Sequence, residues 1–165
     1  IDLEPGARIV HMVAGPAEQR YVLGTRSGYG FIAKHKDLTT RQRAGKQFLS
    51  LEGSDTLLKP LVLRGTDTHV AMLARKGRFL VVDLHEFKSL SGGGRGTILM
   101  GLDEGDAVAQ WVPVGPEGIL VSGIYRAKDT TWSMDMQALA EYMGKRARKG
   151  KALSLKMKQP TLLRA

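Results

Sequence analysis

Apolar residues in this chain recur at alternate positions or in short unbroken runs: RIVHMVA (8–14), RYVLGT (20–25), HVAML (69–73), RFLVVDL (78–84), GILVSGIY (118–125) and LSLKMK (153–158). Period two and brief apolar runs predict short β-strands, paired here as 8–14 with 20–25, 69–73 with 78–84 and 118–125 with 153–158. Turn chemistry separates them at Gly15-Pro16, Gly28, Gly77, Gly115-Pro116 and Gly118. Helical spacing occurs once, in SMDMQALAEYMGK (133–145). There Leu139, Tyr142 and Met143 follow Asp135, a residue suited to capping the first turn.

The pattern also repeats. GTRSGYGFI (24–32) aligns with LARKGRFLV (73–81), placing Arg26 and Arg75, and Gly28 and Gly77, 49 positions apart. A third copy, GIYRAKDTTW (123–132), puts Arg126 51 positions further on and has lost the glycine. Each copy ends in a glycine-led apolar strand: GKQFLSL from Gly45, GTILMGL from Gly96 and GKALSL from Gly150. Three units, 8–57, 58–105 and 106–160, each with about four short strands, predict one all-β domain of bladed architecture over residues 1–165, with a short helix in the last unit.

Composition and charge sharpen this. A chain of 165 residues that is 42% hydrophobic can bury a core, so disorder is not expected. Its 25 Lys+Arg against 16 Asp+Glu, a formal charge of +9, favour a polyanionic partner. The cations are not scattered. Lys34, Lys36, Arg41, Arg43 and Lys46 fall within thirteen positions and are opposed there only by Asp37. Lys88 and Arg95 follow in the second unit, and Lys145, Arg146, Arg148, Lys149 and Lys151 in the third. Most stand in the connection before the closing strand, so a bladed fold places them on one rim as a basic track. Arg and Lys among Gly and Ser suit phosphate, because the guanidinium grips two oxygens and glycine lets a backbone N–H approach.

Other chemistries find little support. GKRARKGKA has five residues between Gly144 and Gly150 where a phosphate-binding P-loop has four, and Ala152 follows Lys151 where Ser or Thr belongs. SGGGRGT lacks the lysine. His11, His35, His69 and His85 are isolated from one another, and the absence of cysteine excludes disulfides and thiolate metal sites. LDEGD, with Asp103, Glu104 and Asp106, reads as a solvated hairpin loop rather than a cation site. No metal site and no catalytic residue are expected. No apolar run is long enough for a membrane span and no signal peptide is visible. A start at Ile1 and an end at PTLLRA suggest a piece of something longer.

SGYGFIAKHKDLTTRQRAGKQFLSL (27–51), LLKPLVL (57–63) and KGRFLVVDLHEFKSLSGGGRGTILMGL (76–102) resemble the C-terminal domain of the A subunit of bacterial topoisomerase IV (ParC), related to that of the gyrase A subunit. The resemblance covers essentially the whole chain and is least specific in the third unit. It implies a β-pinwheel whose neighbouring blades exchange strands, with duplex DNA against a basic outer perimeter. It makes the chain about three blades of a larger domain. It also implies no catalysis by this fragment, within an ATP-hydrolysing enzyme of the bacterial cytoplasm that works on the chromosome. That enzyme pairs two A subunits with two B subunits (ParE), which bring ATP and Mg²⁺. Tyr21, Tyr29, Tyr125 and Tyr142 do not match the family's DNA-cleaving tyrosine motif. RQRAGKQ (41–47) keeps the basic-glycine character of gyrase's QRRGGKG box but not the box itself; GYGFIAK (28–34) favours topoisomerase IV. The alternatives are a gyrase A C-terminal domain and a bladed module binding an acidic protein.

Overall fold

The computed structural model describes residues 3–165, and in it the first alternating run, 8–14, forms no strand. Ile9 and Met12 there are 65% and 85% exposed. Pairing begins instead at β1 (Arg20–Gly24), which turns back into β2 (Tyr29–Lys34) in the register Arg20 to Lys34 through Gly24 to Gly30. The expected pairing of 8–14 with 20–25 is thus corrected. Both edges of β1 are taken, one by β2 across a turn in which Thr25 N–H bonds the Tyr29 carbonyl, Gly28 N–H bonds the Thr25 carbonyl and Gly28 takes φ 89°, the other by Leu61–Val62.

The chain continues through α1 (His35–Leu38), β3 (Leu61–Val62), β4 (His69–Ala74), β5 (Arg78–Asp83), a 3-10 turn at Leu84–Glu86, β6 (Thr97–Ile98) and β7 (Val108–Val114). It ends with β8 (Ile119–Tyr125), β9 (Lys128–Met134), α2 (Met136–Leu139), a 3-10 turn at Ala140–Tyr142, β10 (Lys151–Ala152) and β11 (Lys158–Arg164). These strands form three antiparallel sheets, ordered β3-β1-β2-β6, β10-β5-β4-β7 and β11-β8-β9. The fold is an all-β bladed pinwheel. Each of the first two blades receives its outermost strand from the following unit: β6 pairs with β2, and β10 with β5.

The third blade departs from expectation. β8 pairs with β9 and β11, whereas 153–157 forms no strand. A two-residue turn, Arg126 at φ 49° and Ala127 at φ 62°, closes β8 on β9 as a tight primed hairpin. The strand KDTTWSM carries a weak signal because Lys128, Asp129 and the inward-facing Thr130 are polar, leaving only Trp132 and Met134 as apolar inward positions. At α2, Asp135 does cap, accepting a 2.8 Å bond from Ala138 N–H.

Among the described residues, two of the three cores lie between blades; the third, of Tyr21, Leu23, Phe31 and Ala33, covers the other face of the first blade. Val70, Met72, Leu80 and Val82 of the central blade meet Val22 and Ile32 of the first. Their neighbours Ala71, Leu73, Phe79 and Val81 meet Ile119 and Val121 of the third. A sheet buried on both faces needs both residue sets apolar, which is why HVAML and RFLVV read as unbroken runs. Each large side chain so buried contributes about 1.5–3 kcal/mol. Among the described residues no helix is long and apolar enough to cross a membrane.

Candidate nucleic-acid interface

Strand exchange dictates where the cations go. On its way to β6 the second unit's connection runs along the outer edge of β2: Ile32 N–H bonds the Lys88 carbonyl at 2.8 Å and Leu90 N–H bonds the Ile32 carbonyl at 2.9 Å. The third unit's connection does the same on β5, with Gly144 N–H bonded to the Val81 carbonyl at 3.0 Å. Each then enters its strand through a glycine in the left-handed region, Gly96 at φ 81° and Gly150 at φ 75°. A Cβ at either would collide with the carbonyl of the receiving strand, at Gly30 and Phe79. Gly45 of the first unit has a similar φ, 77°, but nothing lies within 4 Å of where its Cβ would be. The basic connections of the second and third units therefore lie along the outer edges of the first and second blades.

Their side chains divide into two groups. Arg41, Arg43, Lys88, Lys145, Arg148 and Lys151 are exposed, and none makes a side-chain hydrogen bond or ion pair with the described residues. Lys46 is exposed, bonded to the Asp37 carbonyl and 5.2 Å from the Phe48 ring. These can take phosphate. The others are engaged. Lys34 and Lys36 both hold Glu18 at 2.5 Å, and their hydrogen bonds, Lys34 first, pull its carboxyl from 4.5 to about 2. Arg146 is half-buried and donates to the Ile98 carbonyl at 3.3 Å. The Arg95 guanidinium lies 3.6 Å over the Tyr29 ring and 2.9 Å from Glu52. Lys149 and Arg78 share Asp103 at 2.6 and 2.9 Å and hold its carboxyl below the usual range, Lys149 foremost.

Sequence reading missed these counter-ions. Asp37 is not the only acid facing the first cluster, because β1 and β2 fold Glu18 onto it from 16 residues away. The loop LDEGD is tied down by cations, Asp103 by Arg78 and Lys149, and the Glu104 carbonyl by Lys76 at 2.7 Å. A signal existed: Glu52 and Asp103 are 51 positions apart, the spacing of the first two closing strands. Asp55 sits under a related turn; burial raises its carboxyl, but bonds from Ser27, Thr25 and Thr56 outweigh it and leave it lowered. Among the described residues no group of three or more His, Asp or Glu stands together as a metal site.

The geometry parallels known proteins. A model of the DNA gyrase C-terminal domain, beta-propeller, matches residues 19–64 and 68–114. The A subunit of DNA topoisomerase 4 from Neisseria gonorrhoeae is 28% identical over 160 residues, 94% of this chain and 20% of that one. Its counterpart from Escherichia coli K12 is 25% identical over 156 residues, 91% and 20%. The chain thus spans about a fifth of the length of these curated relatives. Among solved structures, the E. coli ParC C-terminal domain superposes with a TM-score of 0.81 at 21% identity, covering 97% of this chain and 66% of that one. A DNA gyrase A C-terminal domain does so with 0.70 at 19%, covering 95% and 53%. With matched repeats, exchanged strands and the same bladed fold, this chain belongs to the family of DNA gyrase C-terminal domains of beta-propeller type.

Proposed function

We propose that this chain is the duplex-DNA-binding C-terminal part of a topoisomerase IV A subunit, holding DNA against the outer edges of its blades by phosphate contacts. The observation that carries the reading is the set of exposed cations without a side-chain partner that strand exchange lays along the perimeter, Lys88, Lys145, Arg148 and Lys151, together with exposed Arg41, Arg43 and Lys46 on the first unit's connection. Loops carrying Arg and Lys reach phosphates, whereas groove readout needs a helix or ribbon. The chemistry belongs elsewhere in the intact enzyme: a B subunit brings ATP and Mg²⁺, two A and two B subunits assemble in the cytoplasm, and this part positions DNA for strand passage in decatenation and relaxation. Topoisomerase IV is preferred to gyrase because the relatives above carry that name.

The test is affinity for a random-sequence duplex in rising salt. Binding weakens steeply with salt because counterion release drives it, and changing Arg41, Arg43 and Lys46 together to Glu lowers the magnitude of the log–log slope by about three, near 0.9 for each phosphate no longer neutralised. A domain that ignores duplex DNA at low salt but captures an acidic protein would overturn the reading.

A further inference from the structure

Two of the engaged cations occupy one repeat position. Arg95 and Lys149 each stand immediately before the left-handed glycine, Gly96 or Gly150, that leads the exchanged strand. Each is met by a carboxylate from the preceding unit's turn, Glu52 for Arg95 at 2.9 Å and Asp103 for Lys149 at 2.6 Å. A third side chain completes both groups: Tyr29 under Arg95, and Arg78, 49 positions later, on Asp103. Tyr29 and Arg78 hold equivalent places in the blade, each in register with the second residue of the exchanged strand, Ile98 or Ala152. In the first unit, where Gly45 meets no receiving strand, the residue before the glycine is Ala44. The cation is present where two blades join and absent where they do not.

We propose that Glu52 and Asp103 withhold Arg95, Lys149 and Arg78 from a polyanion lying along the blade edges, and so set the affinity of the surface below what its number of cations would allow. The inference rests on reading those edges as a DNA surface. A carboxylate within hydrogen-bond distance cancels the charge that would otherwise neutralise a phosphate, and it repels any phosphate that approaches the same cation. Neither pair is sealed from solvent: Lys149 is 55% exposed and Asp103 33%, and Arg95 and Glu52 are 31% and 65% exposed. Removing the carboxylate therefore leaves each cation open to solvent on one side, Lys149 free to move and Arg95 still held over Tyr29 with its Nε buried.

The experiment titrates salt against two probes, a random-sequence DNA duplex and heparin, a polyanion without bases, for the parent chain and D103N, E52Q and D103E. D103N raises the magnitude of the duplex slope by up to about two, for Lys149 and Arg78, and E52Q by about one, for Arg95. D103E keeps the charge and stays with the parent. Glu52 is 65% exposed, so E52Q reports even if D103N fails to fold. Unchanged slopes in folded E52Q and D103N overturn the inference, as does a D103E that rises with D103N. A parent that binds heparin but no duplex overturns the DNA reading alone, and the heparin slopes then decide the inference. Binding to neither probe overturns both.

Discussion

Asp67 shows how much one residue can hold here: its side chain is 1% exposed, and Arg164 of β11 grips both of its oxygens at 2.6 and 2.8 Å. The Arg64 N–H adds a 2.7 Å bond, and Arg164 reaches on to the Val62 carbonyl. The end of the third blade is thereby latched to the turn between the first two. Replacing Arg164 with Ala leaves a buried carboxylate without its counter-charge, which costs about 3–5 kcal/mol in urea unfolding. Exposed Arg148→Ala shifts stability by no more than about 0.5 kcal/mol. Glu18 is the opposite case, exposed yet strongly perturbed. Its folded pKa of about 2 lies below the ordinary 4.5, so what its two lysines add to stability is complete above about pH 4.5 and disappears as pH falls through 2. Carboxyl-carbon NMR of Glu18 reads that midpoint directly; K34M/K36M returns it toward 4.5.

At the scale of elements, the hairpin β4–β5 was legible because both its faces are buried and its turn carries Gly77. The exchanged strands were legible only as glycine-led endings. Two residues have no periodicity, and nothing local says that Thr97–Ile98 and Lys151–Ala152 leave their own unit for the blade before. β9 was hidden because Lys128, Asp129 and the inward Thr130 leave only Trp132 and Met134 apolar, and the run 8–14 lost its expected partner because β2 and β3 occupy both edges of β1. Exchange makes a prediction about glycine. Gly150→Ala must adopt φ 75° and also push the Phe79 carbonyl aside, whereas Gly45→Ala meets open space and pays only for the left-handed backbone, about 1–2 kcal/mol. The midpoint of urea unfolding falls by at least twice as much for G150A as for G45A. Equal shifts would mean that β10 contributes nothing to holding the second and third units together.

For the whole molecule, the repeat made the position of the cations legible but not their availability, since the acids that engage them come from other elements: Asp103 lies 46 residues before Lys149. Which cations remain uncommitted follows from tertiary structure alone. Those that do lie on the first unit's connection, beside the outer edges of the first two sheets and, for Lys151, in β10, so the surface proposed to meet DNA is a set of charges spread over separate elements. On that proposal the contacts are to phosphates, which carry no sequence information. Among the described residues only β10, two residues long, carries one of these cations, too short to form a ribbon in the major groove, and the helices α1 and α2 are four residues each, too short to lie along one. AT-rich and GC-rich duplexes of equal length, competed against each other at fixed salt, therefore bind within a factor of about ten, on the order of 1.4 kcal/mol. A larger preference would require a groove contact that these loops do not supply, or a bend in the DNA whose cost depends on sequence. Repeating the competition with R41E/R43E/K46E locates its source: a preference that survives while overall affinity falls lies outside the first unit's phosphate contacts, and one that disappears with them depends on that unit.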